Sequence, residues 1–159
     1  MNSVENLVSE YPQLNFHFAS DLPPKLSGFI QEKDVWINTN NSMVHQKETM
    51  AEEIGHYFTS SGNILNLDSI EKRRQENVAR RWGYMKVITL DGLIACFKND
   101  ISSLNDILDF FEVSEEYFWQ AIDVYRQKYG ITFKYYEYIF DLSHGVNIKN
   151  TKYDLYETL

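Results

Sequence analysis

The residues with the most chemical content are two glutamates and a histidine, Glu52, Glu53 and His56, within Met50–His56. In a helix, Glu52 and His56 stand one above the other at i and i+4, and Glu53 lies about 60° around the axis from His56. Carboxylates and imidazoles bind divalent metal ions, and a carboxylate beside such an ion can act as a general base. The pattern Glu-Glu-x-x-His differs by one residue from His-Glu-x-x-His, in which two histidines bind zinc. On spacing alone, a solvated helix face is the better interpretation.

A zinc site of this kind needs a third protein ligand from another element, and Glu76 is the candidate. It lies in Arg74–Gly83, where Ala79 and Gly83 form a path of small residues. Such a path lets this segment, as a helix, approach the first helix closely. The alternative for Glu76 is an i to i+4 ion pair with Arg80 on a solvated surface, and periodicity alone favours that alternative.

Two amphipathic helices are predicted to position these residues. The first begins near Ser42, with Asn41 or Ser42 as N-cap, and ends at Ser61-Gly62. Its apolar stripe points nearly opposite to the two glutamates and the histidine, so these three face away from the core. The second helix runs from about Ser69 to Met85. The two apolar stripes consist of Met43, Met50, Ile54 and Tyr57 in the first helix and Ile70, Val78, Trp82 and Met85 in the second.

Short strands are predicted before and after the helices. Leu14–Phe18 alternates like a strand, and Gly28–Asn38 is typical of two short strands around a Glu32-Lys33-Asp34 turn. These segments predict a small antiparallel sheet at the start of the chain. Ile131–Leu142 is rich in Tyr, Phe and Ile and is predicted to form a strand or a strand pair. The expected fold class is α+β.

Two more helices are predicted in the C-terminal part, Leu104–Phe111 with Ser103 as cap, and a helix from Ser114 to Gly130. Their arrangement in the sequence is similar to a helix-turn-helix, which would suggest DNA binding. Between Leu104 and Asp123, however, six residues are acidic and none is Lys or Arg. A recognition helix needs basic contacts to phosphates, so packing or partner docking is the stronger interpretation.

The composition is that of a globular protein with an acidic balance. The 159 residues are 43% hydrophobic and contain 23 Asp and Glu against 15 Lys and Arg, for a formal net charge of −8. This charge repels phosphate backbones and anionic lipids, so nucleic acids and membrane surfaces are disfavoured as partners. The single cysteine, Cys96, cannot form an internal disulfide and is expected in the core. Met1–Glu10 lacks a signal-peptide pattern, and no window has the length of a membrane span, so the cytosol is the expected compartment.

The other three histidines are weaker candidates. His45 shares the azimuth of Glu52, but it is about 10 Å away along the helix axis and is expected to be an exposed helix residue. His17 is expected on the outer face of a strand. His144 lies in a predicted turn, where it is a weak candidate for holding an oxyanion or a product carboxylate.

Two blocks of the sequence together resemble the ImmA/IrrE family of metallopeptidases. They are Ala51–Ile64, AEEIGHYFTSSGNI, and Arg73–Tyr84, RRQENVARRWGY, and both match in order and spacing. The likeness extends from the N-terminal strands through Leu104–Ile122, so it covers most of the chain. It implies a small zincin-like fold. We therefore expect a metallopeptidase core at residues 1–100 and a helical part at 101–159 that packs on this core as one unit.

The resemblance implies a role for each candidate residue. Carried over position by position, Glu52 is the first metal ligand, Glu53 the general base, His56 the second ligand and Glu76 the third. Zinc is the expected metal. The departure from the family pattern is Glu52, which stands where the family has histidine. Two carboxylates and one imidazole bring the site with its divalent ion to about zero charge instead of about +1, so the ion is a weaker Lewis acid. Slow turnover is therefore expected, and manganese or ferrous iron becomes conceivable.

The resemblance also implies a partner. Related members are often encoded by temperate phages and integrative elements, where they cleave the repressor of the element. The implied substrate is a protein with a helix-turn-helix repressor domain, and the strand Val35–Asn38 is expected to hold it by strand addition. The alternative is a binding module with the same fold that captures a repressor without cleaving it. The sequence does not indicate an oligomeric state.

Overall fold

The computed structural model describes residues 3–60 and 68–152, which form six helices and two small sheets. The helices are α1 (Ser3–Glu10), α2 (Met43–Thr59), α3 (Ser69–Val87), α4 (Leu90–Lys98), α5 (Leu104–Phe111) and α6 (Glu115–Tyr129). The strands are β1 (Asn15–Ala19), β2 (Gly28–Gln31), β3 (Asp34–Asn38), β4 (Thr132–Tyr135), β5 (Tyr138–Asp141) and β6 (Asn147–Asn150). The predicted α+β class is confirmed. Within the described ranges, no helix combines the length and the apolar character that a membrane crossing requires.

The N-terminal sheet has the strand order β1-β3-β2. The predicted hairpin is present, with β2 antiparallel to β3 and Glu32 at a positive φ of 56° in the turn. β1, in contrast, pairs with β3 in parallel, from Asn15 opposite Asp34 to Ala19 opposite Asn38. The sheet is therefore mixed where the sequence predicts an antiparallel one. Alternation of polar and apolar residues identifies a strand but carries no information on the direction of its neighbour.

The active-site candidate helix, α2, begins where the sequence predicts. The Ser42 side chain accepts a hydrogen bond from the His45 backbone N–H at 3.2 Å, which caps the first turn. The helix ends at Thr59, and the predicted end at Ser61-Gly62 lies outside the described residues. Its core face packs on the N-terminal sheet, and the residues of this face that are fully buried are Met50 and Ile54. Met43, by contrast, is 52% exposed, so the buried stripe starts after the first turn.

α3 packs against α2 through backbone and small side chains. An added Cβ on Gly55 would lie 2.4 Å from the carbonyl oxygen of Ala79, and one on Gly83 would lie 3.2 Å from the backbone of Ala51. The path of small residues predicted from Ala79 and Gly83 is thus the contact surface between the two helices. Because the backbones approach so closely, side chains of α3 that point across the cleft reach residues of α2.

The apolar stripe predicted for α3 is wrong in its first half. Ile70 is 70% exposed and Val78 is 44% exposed, whereas the buried residues of this helix are Ala79 and Gly83. Of the predicted stripe, Trp82 packs against the apolar cluster of the N-terminal part, which α1, β3 and α2 form. Its ring stacks on that of Phe58, with 5.4 Å between the centroids. Large side chains do not fit between helices in backbone contact, so the apolar pattern did not identify the contact face.

The C-terminal part has a second apolar cluster, formed by α4, α5, α6 and the antiparallel sheet β4-β5-β6. The predicted helices α5 and α6 are present with Ser103 and Ser114 as caps, and the predicted strand pair is β4 and β5. α1, α4 and β6 were not predicted. Cys96 of α4 is buried in this cluster, as predicted. The division of the chain at residue 100 stays a prediction.

The close contact of α2 and α3 predicts unequal effects of two similar substitutions. Gly55→Ala places a methyl group against a main-chain oxygen that cannot move alone, so we expect it to lower the free energy of unfolding by about 1–3 kcal/mol. Gly83→Ala meets a longer contact, and its gain in helix propensity of about 1 kcal/mol offsets much of the strain. Urea denaturation of both variants measures the difference. Equal stability of the two variants would contradict the contact described at Gly55.

Candidate metal centre

The structure brings the three predicted metal ligands together at the contact of α2 and α3. One ligand atom of each of Glu52, His56 and Glu76 lies within 4.8 Å of the others. Nε2 of His56 and Oε2 of Glu76 are 3.4 Å apart, and this contact joins the two helices. Glu76 thus faces α2, as the family resemblance requires of a third ligand from the second helix.

The imidazole of His56 is held in a fixed orientation. Its side chain is only 8% exposed, and its Nδ1 makes a hydrogen bond of 3.1 Å with Oγ of Ser60. Nε2 is left to face Glu76. The expectation that this face of α2 points away from the core is wrong for His56, because α3 covers it. Ser60 was missed in the sequence, although it stands four residues after His56 and is therefore one turn further along the helix.

Arg80 has a different partner from the one that its spacing favours. Its Nε donates a hydrogen bond to Oε2 of Glu52 at 3.3 Å, across the interface between the helices, while Glu76 pairs with His56. The i to i+4 pair between Glu76 and Arg80 is therefore not the arrangement observed. Burial raises the pKa of Glu52, Arg80 opposes this rise, and the neighbouring Glu76 adds to it. A guanidinium thus neutralises part of the carboxylate charge at the centre.

Glu53 lies in the same cleft and is more deeply buried than Glu52. Burial, followed by the negative charges of Glu52 and Glu76, raises the pKa of Glu53 to about 8. The chain without a cation therefore holds a proton on this carboxyl group at neutral pH. A carboxyl group with a pKa near the working pH can both accept and release a proton.

The cleft above these residues has a volume of about 580 Å³, and β2 forms the wall opposite α3. Ser27, Gly28, Phe29 and Ile30 line it. The expected substrate-holding strand, Val35–Asn38, is wrong, because it corresponds to β3, the central strand, which is paired on both sides. β2 is an edge strand, paired only with β3 among the described strands. The strand beside the cleft with a free edge is therefore β2.

The donor set fits a divalent metal ion. Two carboxylates and one imidazole converge within 4.8 Å, and this O, N, O set suits zinc as well as manganese or ferrous iron. Three carboxyl groups, those of Glu52, Glu53 and Glu76, crowd the cleft with one guanidinium, that of Arg80. Burial first, and then the neighbouring carboxylates, raise the pKa values of Glu52 and Glu53, and a bound cation would favour their ionised forms.

The other histidines have structural partners. His45 is 49% exposed, as expected, and Nε2 of its ring makes a 2.9 Å hydrogen bond with Oγ of Ser27 at the cleft wall. His17 pairs with Asp34 at 2.8 Å and stacks on a tryptophan of β3. His144 is exposed in the turn before β6 and does not line the cleft. The weak expectation that it assists the reaction has no support in this position.

The raised pKa of Glu53 predicts a pH dependence of the metal-free protein. Between about pH 4.5 and pH 8, the folded chain keeps a proton on Glu53 that the unfolded chain has released. The free energy of unfolding therefore falls as the pH rises, and Glu53 contributes at most about 1.4 kcal/mol per pH unit to this fall. Glu53→Gln removes this contribution, so the stability of the variant should change less with pH. Urea denaturation after chelation, at several pH values in this range, measures both slopes. The matched control is Glu71→Gln, the same change on α3 at a residue that does not line the cleft. Equal slopes for wild type and Glu53→Gln would contradict the described environment of Glu53.

The similarity of the chain to known proteins agrees with this geometry. The family model Peptidase_M78, described as the IrrE N-terminal-like domain, matches residues 11–122, which span β1 to most of α6 and include all four candidate residues. No curated protein and no solved structure matches the chain significantly. Since the matched region is more than half of the 159 residues, the chain belongs to the M78 peptidase family, the family of IrrE N-terminal-like domains.

Proposed function

We propose that this protein is a metal-dependent endopeptidase, with Glu52, His56 and Glu76 as metal ligands and Glu53 as general base. The observation that carries the proposal is the convergence of the three ligand atoms within 4.8 Å at the floor of a cleft that also contains Glu53. The family membership supports peptidase chemistry. Zinc is the proposed metal, and manganese or ferrous iron fits the same donors.

The residues of the chain divide the work of peptide hydrolysis. A divalent ion held by Glu52, His56 and Glu76 would supply Lewis acidity for the scissile carbonyl and the attacking water. Glu53 takes the proton of that water and later delivers it to the leaving amine, for which a carboxyl group buried in the cleft is suited. Ser60 holds the His56 ring through Nδ1, so that Nε2 stays directed at the centre.

The substrate binds, in this proposal, as an extended segment beside β2. An edge strand offers unpaired backbone N–H and C=O groups, and an added strand satisfies them without a requirement for a particular sequence. Packing holds β2 in place, since a Cβ on Gly28 would lie 2.5 Å from the backbone oxygen of Trp36 and 2.8 Å from Cγ2 of Thr49. The proposed substrate is a helix-turn-helix repressor of a phage or integrative element, met in the cytoplasm, with no direct contact to DNA.

A second candidate function is capture of the repressor without cleavage. The observation that favours it is the ion pair between Arg80 and Glu52, because a metal ion must compete with a guanidinium for its first ligand. A site with low metal occupancy keeps the cleft and the free edge of β2 and therefore keeps the means to bind a peptide. The two functions differ in whether the bound chain is cut.

Metal binding is expected to depend on both helices. The purified protein should bind about one divalent ion per chain, and His56→Ala or Glu76→Gln should weaken this binding by about 100-fold or more, since even residues behind a ligand contribute 10- to 100-fold. Isothermal titration with zinc and with manganese measures the affinities, and circular dichroism verifies the fold of each variant. Glu71→Gln, on the same helix as Glu76, is the control that should bind like wild type. Retained affinity in both ligand variants would contradict the proposed centre.

Cleavage and capture are separated by Glu53→Gln. This variant keeps all three proposed ligands and loses the base, so we expect metal binding to persist and the cleavage rate to fall by about 100-fold or more. The assay is co-expression with candidate helix-turn-helix repressors from the same genome, followed by mass spectrometry of repressor fragments and a reporter of repression. Fragments with wild type and intact, active repressor with Glu53→Gln support the peptidase. Equal relief of repression by both forms, without fragments, would show that capture is the function.

A further inference from the structure

A second cavity adjoins the cleft, between α2, α3 and α6. Its volume is about 250 Å³, and it shares four wall residues with the cleft: His45, Thr49, Glu52 and Arg80. The proposed roles of the metal centre do not use this cavity. A side chain of a peptide bound in the cleft can enter it, because the two spaces meet at Glu52, a proposed metal ligand.

The cavity contains a buried hydroxyl group without a partner. Tyr117 of α6 lines the cavity and is only 9% exposed, and within residues 3–60 and 68–152 its hydroxyl has no hydrogen-bond partner. The ring is fixed by edge-to-face packing on Tyr84, with 4.7 Å between the centroids. Nearly all buried hydroxyl groups in proteins are hydrogen-bonded, so an unpartnered one beside an open cavity points to a polar ligand group.

The charge of the cavity wall is negative. Glu48, Glu52 and Glu116 line it with one cationic side chain, Arg80. Arg80, the cationic side chain that α3 contributes to the wall, forms its ion pair with Glu52. It therefore does not neutralise the carboxylates of Glu48 and Glu116. Oε2 of Glu48 is 3.9 Å from Nδ1 of His45, the nearest basic group described. The wall therefore favours a cation as its occupant.

The acidic groups are already ordered. Oε1 of Glu48 accepts hydrogen bonds from the backbone N–H of Ser114 at 2.8 Å and from its hydroxyl at 2.7 Å. On the other side, the Tyr84 hydroxyl donates to Oε1 of Gln120, and Nε2 of Gln120 donates to Oε1 of Glu116 at 3.3 Å. A site ordered in advance loses less conformational entropy when it binds.

We propose that this cavity is a specificity pocket for a lysine or arginine side chain that flanks the scissile bond of the protein substrate. The cationic head donates to the carboxylates of Glu48 and Glu116, and the Tyr117 hydroxyl accepts a further hydrogen bond from it. The aliphatic stem lies along the cavity wall that Tyr84 of α3 and Tyr117 of α6 form. The substrate class rests on the proposed peptidase function, whereas the affinity of the pocket for a cation does not.

The test uses n-butylguanidinium as the probe, titrated into the full chain in the presence of zinc and followed by heteronuclear NMR. Saturable binding is expected, and Glu116→Gln should weaken it by about fivefold or more, as loss of a charge-assisted hydrogen bond requires. Glu115→Gln is the matched control, since it makes the same change in the same turn of α6 but lies outside the cavity wall. Equal affinities of the Glu116→Gln and Glu115→Gln variants would overturn the proposal. Tighter binding of valerate than of n-butylguanidinium would also overturn it, because Arg80 would then be the recognising group.

Tyr117→Phe separates recognition from folding. Because the hydroxyl has no protein partner, its removal should leave the stability unchanged or raised, while the affinity for n-butylguanidinium falls by about threefold or more. Loss of stability with unchanged affinity would show that the hydroxyl stabilises the fold and does not bind the probe, which would contradict the proposal.

Peptide hydrolysis is a separate measurement. If the probe binds as described and no peptide is cut, the proposed peptidase function is wrong and the proposed pocket is not affected. If peptides are cut and the probe does not bind, the pocket fails alone.

Discussion

The rest of the structure depends on the backbone contact between α2 and α3. The carbonyl oxygen of Ala79 occupies the space that a side chain at position 55 would need, and this proximity brings Glu76 of α3 within 3.4 Å of His56 of α2. A wider separation of the helices would move Glu76 away from Glu52 and His56, the other two proposed ligands. The proposed metal centre therefore depends on the small residues at the helix contact as well as on the three side chains that form it. Close packing of this kind transmits small changes directly to the ligands, because protein interiors deform little.

α2 also connects the centre to the C-terminal part of the chain. The buried amine of Lys47 donates to the backbone oxygen of Phe111 at the end of α5, and Glu48 accepts from Ser114 at the start of α6. Burial lowers the pKa of Lys47, and the carboxylates of Glu112 and Glu48 oppose this shift. Consecutive residues of one helix thus hold the end of α5 and the beginning of α6. The position of α6, and with it the second cavity, follows from the orientation of the helix that carries Glu52, Glu53 and His56.

Signals within single segments of the sequence predicted most of the helices and strands, but they did not predict which elements pair or pack with one another. Capping serines and apolar spacing predicted α2, α5 and α6, because these signals act within one helix. The place of Val35–Asn38 in the centre of the sheet and the pairing of Arg80 with Glu52 depend on contacts between elements, which spacing along one element does not encode. Glu76 stands between these cases: periodicity favoured a surface ion pair, whereas the small residues Ala79 and Gly83 and the family resemblance indicated a position against α2. Tyr117 gave no signal at all, since an aromatic residue on a helix normally indicates packing.

The contact at Gly55 has a consequence for how this protein can vary in evolution. A Cβ at this position meets main-chain atoms, which no compensating change of a neighbouring side chain can remove. Glu52, in contrast, lines an open cleft, which has room for a side chain of another shape. A substitution at position 52 therefore changes the chemistry of the cleft and leaves the helix contact in place, whereas a substitution at the glycine acts on the helix contact itself.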